Sequence, residues 1–279
     1  MPTITINVLD AHSAQRPQAL GLLVPQAITT GRQSFTGLDM TGCKIAQCIV
    51  EQSSGQEAVL LTDLSERPEF RYTFEETSRQ DQPNDYVHFH NRYTRASSQL
   101  HDVIDELIDD DSLGTAQRIV SHTAALFEYG HPDERFNDGL DDVPVIACGT
   151  AKGSCVDINT YLISALHSAG IPNVYFAGYF FPQERGGLTN DMHCWVATWI
   201  EGAWWEWDIA HHMKMGLGAD DIRPAYNPKP GQRFAITYGR GLAFDIKGTE
   251  VILSHLSEPR WVFADGQTQT ATIEARLTP

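Results

Sequence analysis

The segment GTAKGSCVDINTYLISALHSAGIP, residues 149–172, runs from a loop of small residues into an amphipathic helix and sets Cys155 in its first turn. Ile158, Tyr161, Leu162, Ala165, Leu166 and Ala169 recur at helical spacing and form the expected buried face. Gly170 and Pro172 supply a stop signal. A structural cysteine could take any apolar position of such a helix, but this one stands at the polar entrance. Unpaired backbone N–H groups and partial positive charge at a helix start favour thiolate over thiol, and the thiolate is the nucleophilic form. The Cys155 N–H is also placed to help hold an oxyanion, a contribution of a few kcal/mol. The small residues before it, Gly149, Thr150, Ala151, Gly153 and Ser154, leave room for a substrate backbone. Ser154 is therefore a candidate substrate-contacting residue.

The partners of a thiolate lie downstream, in DMHCWVATWIEGAWWEWDIA, residues 191–210. This reads as two antiparallel strands joined by a two-residue turn at Glu201-Gly202, which pairs Ile200 with Ala203 and sets His193 opposite Ala210. Asp208 is then the diagonal neighbour of His193 on the same face, within side-chain reach; a slip of one residue would separate them. Alternation puts His193, Trp195, Ala197 and Trp199 on one face and turns Cys194 to the other, as a packed thiol. A His–Asp pair beside a thiol has a clear use. The imidazole takes the thiol proton and returns it to a leaving group, while the carboxylate fixes the tautomer and stabilises the charged ring. Trp195, Trp199 and Trp204 could keep such a site partly dry, and Trp195 is a second candidate substrate contact.

As an ordered set these features resemble the transglutaminase-like domain of the papain-like cysteine enzymes. The matching residues are Gly153-Ser154-Cys155, Gly170-Ile171-Pro172 with Gly178-Tyr179, His193-Cys194-Trp195, and Trp205 or Trp207 with Asp208, within about residues 112–212. The resemblance implies an α+β fold with a papain-like core of helices on an antiparallel sheet. It implies Cys155 as nucleophile, His193 as general base and Asp208 as its orienting carboxylate. It also implies an acyl-enzyme formed from a peptide or protein amide: water as acceptor makes a cysteine peptidase or amidase, an amine acceptor makes a transglutaminase-type acyltransferase. The sequence departs from the pattern in three places. Cys194 replaces a small residue, Asn173-Val174 replaces the common arginine after Gly-Ile-Pro, and Gly149 stands where papain-type enzymes carry an oxyanion-binding glutamine. Tyr129, at the end of the preceding helix, is the candidate second donor. A non-catalytic protein-binding scaffold of the same fold is the alternative, and the intact Cys155, His193 and Asp208 argue against it.

No cofactor or metal is expected. His211 and His212 point to opposite faces if extended, paired CxxC zinc motifs are absent, and the acidic run DELIDDDS, residues 105–112, lacks EF-hand spacing and reads as a solvated helix end. With a net charge of −16, neither nucleic acid nor an anionic membrane is an expected partner. MPTITINVLD lacks a basic and apolar leader, and five cysteines (Cys43, Cys48, Cys148, Cys155, Cys194) are too few and odd for a disulfide framework. A cytoplasmic setting is the expectation.

Two domains are expected. Residues 1–95 read as a β-rich domain, from the alternation of Ile4, Ile6 and Val8 and the runs CKIAQCIV, AVLLTDL and FRYTFEE. Residues 96–279 read as the transglutaminase-like cysteine-enzyme domain. It opens with helices in SSQLHDVIDELIDD, capped by Ser97 or Ser98, and SLGTAQRIVSHTAALFEYG, and closes with further strands.

Overall fold

The computed structural model describes residues 1–11 and 18–279. The first stretch forms β1 (Thr3–Val8), β2 (Ala19–Pro25), β3 (Ser34–Thr41), β4 (Lys44–Val50), β5 (Glu57–Thr62) and β6 (Glu69–Glu75). In β1 Ile4, Ile6 and Val8 are fully buried, as their alternation requires. Two helices follow. The Ser97 hydroxyl caps α1 (Ser98–Asp105) by accepting from the Leu100 N–H. The Asp111 carboxylate caps α2 (Ser112–Ala125) by accepting from Leu113 and Gly114. The acidic run is thus the link between two helices, and its last aspartate is a cap. The second helix stops earlier than its sequence pattern suggests. Phe127–Tyr129 become a short strand, β7, which pairs in parallel with β8 (Ala151–Gly153) and so draws Tyr129 beside Gly153 at the door of the next helix.

That helix, α3 (Cys155–Ser168), is buried on every side from Cys155 to Leu166. One buried stripe was expected; α3 has more because α1 and α2 cover one flank while a sheet covers the other. Gly170 then turns the chain with a φ of 69°, a left-handed exit that glycine takes without cost. The sheet comprises β9 (Asn173–Pro182), β11 (Met192–Ile200), β12 (Ala203–Trp207) and β13 (Gly231–Tyr238), with the two-residue β10 (Leu188–Thr189) between β9 and β11 in sequence. Its order is β12-β11-β9-β13, all neighbours antiparallel. Gly178 on β9 is where β13 comes closest: a Cβ there would lie 1.9 Å from the Phe234 carbonyl oxygen, so the Gly-Tyr pair of the sequence pattern has a packing reason.

The chain closes with α4 (Ile209–Lys214) before β13, then β14 (Leu242–Ile246), β15 (Thr249–Leu253), β16 (Arg260–Phe263), β17 (Thr268–Thr270) and β18 (Ile273–Thr278). The last three cross the expected boundary at residue 95. One five-stranded sheet runs β10-β18-β1-β6-β3 and the other β17-β16-β2-β5-β4, so strands from both ends of the chain share each sheet. Strand β9 ties this β region to the helical core along its length. On one face, Tyr175 and Ala177 near its start pack with the residues of α3, whereas Tyr179 and Phe181 near its end pack with Ile4, Phe70 and Trp261. The fold is α+β, a helix-on-sheet core flanked by strands. Among the described residues no helix is long and apolar enough to cross a membrane, and all five cysteines are free.

Candidate active site

Cys155 opens α3, and the loop before it is locked by the helix itself. Asp157 reaches back so that its Oδ2 accepts from the Ser154 N–H at 2.8 Å and the Ser154 hydroxyl at 2.6 Å. Ser154 lines the cleft, and the donation of its hydroxyl to Asp157 holds the loop that precedes Cys155. Arg135 covers the other Asp157 oxygen at 3.2 Å.

The hairpin that carries His193 has the expected register: Ile200 pairs with Ala203 across Glu201 and Gly202, both at positive φ (53° and 78°). The expected facing of His193 and Ala210 does not occur. Pairing ends at Val196 with Trp207, because Asp208 leaves the strand to cap α4, its Oδ1 accepting from the His211 N–H at 3.1 Å. The side chain still reaches the expected partner: His193 Nε2 lies 2.7 Å from Asp208 Oδ2. With Nε2 committed there, Nδ1 is the ring nitrogen left to face Cys155, whose thiol interacts with the imidazole. Cys155, His193 and Asp208 are all buried. Trp207, next to Asp208, is fully buried with its indole N–H on Thr198 Oγ1 at 2.9 Å, which fixes the strand end.

The charges follow from these contacts. A hydrogen bond from Cys194 and then the neighbouring His193 hold the Cys155 thiol well below its ordinary value, against burial, with Lys214 adding to the effect. Burial pushes His193 down, but the Asp208 carboxylate outweighs it and, with Cys155, carries the imidazole up to about 9. Burial would raise Asp208, yet His193 and His211 hold it well below the carboxylate range. These directions favour the thiolate of Cys155 beside the imidazolium of His193.

Three features were not legible beforehand. Cys194 does turn away from His193's face, as alternation requires, but that face meets α3, where Asn159 Nδ2 lies 3.4 Å from its sulfur one helical turn below Cys155. Burial pushes the Cys194 thiol well up, and its interaction with Cys155 draws the Cys155 thiol down. A Cys194→Ala protein is expected to need higher pH for Cys155 alkylation; an unchanged profile would assign the low value to His193 alone. Second, His211 stacks on His193 with ring centroids 3.9 Å apart and planes at 10°, and its Nδ1 lies 2.9 Å from the same Asp208 oxygen. The extended-chain argument separating His211 from His212 fails because both lie on α4: His211 returns to Asp208, while His212 Nδ1 bonds the Asp208 carbonyl at 2.8 Å. An aspartate capping a helix with histidine three residues on was the available signal. Third, Arg233 on β13 places Nη1 3.5 Å from Asp208 Oδ2 and pairs with Glu206.

His193, Asp208 and His211 present donor atoms within 4.8 Å of one another, two imidazoles and a carboxylate that could hold a metal. The Arg233 guanidinium beside the same carboxylate opposes a further cation there.

The cleft over Cys155 has a volume of about 610 Å³. Tyr129 lines it, with Lys214 Nζ 4.3 Å above its ring, and burial followed by the negative charge of Cys155 pushes its hydroxyl up, so it stays an O–H donor. Ser254, His255, Glu258, Arg260 and Thr270 close the opposite side from the C-terminal strands, a contribution that no local pattern announces. Trp195 is not in this cleft. It stacks on Phe176 behind the sheet, beneath the Arg233 guanidinium at 4.4 Å.

Residues 99–209 match the model of the transglutaminase-like superfamily. The family resemblance read from the Cys155, His193 and Asp208 motifs is thus borne out, over nearly the span expected. No curated protein matches the chain. Among solved structures, the chain is similar to a Cytophaga hutchinsonii protein provisionally described as a cysteine protease: 14% identity over 99% of this chain and 97% of that one, TM-score 0.48. It is also similar to the periplasmic domain of TgpA from Pseudomonas aeruginosa bound to ethylmercury: 17% identity over 74% of this chain and 89% of that one, TM-score 0.38.

Proposed function

We propose that the protein is a cysteine-dependent acyl-transfer enzyme in which Cys155, His193 and Asp208 act as nucleophile, general base and orienting carboxylate. The observation that carries this reading is the sharing of one buried proton system by three groups from three elements. The thiol of α3 is held low, the imidazole of β11 is held high, and Asp208 anchors that imidazole at 2.7 Å. Structural cysteines in a core are pushed the other way by burial, as Cys194 is.

The Cys155 thiolate attacks the carbonyl carbon of an amide. The resulting oxyanion meets the Cys155 N–H at the start of α3, with the Tyr129 hydroxyl as the proposed second donor in the place of the absent glutamine. His193 gives its proton to the departing amine, leaving a thioester on Cys155, and then takes a proton from the acceptor as the thioester is broken. The acceptor is water in the peptidase or amidase reaction and an amine in the transglutaminase-type reaction. The substrate class is a peptide or protein amide. A reducing compartment such as the cytoplasm suits a permanently poised thiolate. An intact triad with both protonation states set for catalysis speaks against a scaffold that has lost its activity.

Site-resolved alkylation by iodoacetamide across pH, read by mass spectrometry, tests the couple directly. Cys155 is expected to react well below pH ~8.5, the free-thiol value, and to lose that selectivity in His193→Ala. Equal reactivity of Cys155 and the exposed Cys148 in both proteins would overturn the reading.

A further inference from the structure

A second cavity, of about 350 Å³, lies behind the sheet and shares no lining residue with the Cys155 cleft. Strand β11 forms the partition. Cys194 and Val196 face α3, while Trp195, Ala197 and Trp199 face the cavity. The segments at residues 30–33 and 79–82 overhang it and bring polar side chains to its mouth. Its size is that of a small-ligand site.

Two properties limit what fits. The first is charge. Arg32 Nε lies 3.0 Å from Glu206 Oε1, Arg233 pairs with the other Glu206 oxygen, and Arg79 lies 2.6 Å from Asp81 and 3.2 Å from Asp85. Among the described residues, the guanidiniums of the wall, Arg32, Arg79 and Arg233, each face a carboxylate, so these charges favour a neutral ligand over an ionic one. The paired groups are planar and multidentate, and Gln80 and Gln82 add neutral amides beside them. The second is the set of the rings. Tyr86 meets Trp204 at 89° and Phe176 at 83°, and Trp199 meets Trp204 at 65°. Tyr86, Phe176, Trp199 and Trp204 thus meet edge-on or tilted, and the near-parallel Phe176 and Trp195 are already stacked on each other at 5.8 Å, so these rings offer single apolar faces rather than a slot between two rings. Ala197, Ala203 and Ala235 keep the space in front of those faces open.

We propose that this cavity binds a neutral saccharide, one apolar ring face against the indoles of Trp199 and Trp204 and its hydroxyls on the planar polar groups of the rim. A pyranose has that combination: an uncharged ring with a C–H face and hydroxyls that both donate and accept. The cavity adjoins the Asp208 side of the proposed triad through Arg233, but saccharide binding there does not require the acyl-transfer chemistry of Cys155.

Three of the protein's six tryptophans line the cavity, so intrinsic fluorescence reports its occupancy. The intact protein is titrated with glucose, N-acetylglucosamine and cellobiose, with adenosine and benzoate as flat and anionic comparators. Saturation-transfer NMR on the same mixtures shows which face of the ring is in contact. A saturable fluorescence change with at least one saccharide is expected, weakened about tenfold in Trp199→Ala, the loss of one stacking contact. Gln82→Ala, at an exposed position that leaves the core untouched, is expected to weaken it several-fold and guards against misfolding of the tryptophan variant. The proposal is overturned if no saccharide gives a saturable change up to ~50 mM, a concentration that would reveal even millimolar binding. It is equally overturned if adenosine or benzoate binds in preference, or if saccharide binding survives both substitutions.

Discussion

Asp208→Asn is expected to lower amide turnover by about 10⁴-fold, against about 10⁶-fold for removal of the proposed nucleophile in Cys155→Ala. The asparagine is nearly isosteric and can still cap α4 through the contact now made by Oδ1 to the His211 N–H, so the loss isolates the charge. His193 reaches about 9 only because the carboxylate outweighs its burial. With the charge gone, burial wins, the ring becomes neutral, and Cys155 loses the imidazolium that helps hold its thiolate. The sign is fixed by the directions of the two shifts. In the native protein the thiolate forms well below the ordinary thiol range, and the imidazolium survives until pH rises through about 9. Rate against pH should therefore plateau through neutrality and fall on the alkaline side near 9, where His193 can no longer protonate the leaving amine. Because the folded His193 value is raised, its stabilising effect is full below its ordinary 6.5 and fades as pH climbs through about 9. In Asp208→Asn the alkaline limb should move down and Cys155 alkylation at pH 7 should slow to that of Cys148. A variant that keeps the native alkylation profile would refute the carboxylate's role.

The parts of this site legible in the sequence are those fixed by local geometry. A helix start after small residues placed Cys155, and a two-residue turn at Glu201-Gly202 set the register that sends Asp208 toward His193. Period-two alternation sorted Trp195 from Cys194, but it could not say what lies across each face, so the neighbour of Cys155 and the true surroundings of Trp195 were missed. Alternation continues through Ala210 and predicts strand there; a capping carboxylate overrides it and makes the turn that brings His211 back to Asp208. The division at residue 95 was a change of texture in sequence with no counterpart in the sheets, since β16 and β18 return to pair with β2 and β1. Pairings of such separation leave no local signal, which is also why the C-terminal wall of the cleft was invisible.

The same limitation hid the most consequential buried charge. Arg233→Met is expected to destabilise the protein by about 3–5 kcal/mol, the cost of breaking a buried ion pair from one side. The Arg233 side chain is 0% exposed and its guanidinium lies between the rings of Trp195 at 4.4 Å and Tyr226 at 4.7 Å. It neutralises Glu206 directly and adds a positive charge 3.5 Å from Asp208. Methionine fills most of that volume, so the loss would come from the carboxylates left behind rather than from a void. Glu206 would keep only Arg32, whose side chain is 56% exposed and correspondingly screened. Combining Arg233→Met with Glu206→Gln should recover part of the loss, because the second change removes the stranded charge; urea unfolding of the two single variants and the double variant measures that coupling. Arg233→Lys separates charge from shape: it restores the cation but not the planar group stacked between two rings, and should recover less than the charge alone would suggest. If Arg233→Met costs under about 1 kcal/mol, within the range of a surface pair, the network does not hold the sheet edge behind Asp208. His193 would then owe its orientation to the cap of α4 and the stacked His211 alone.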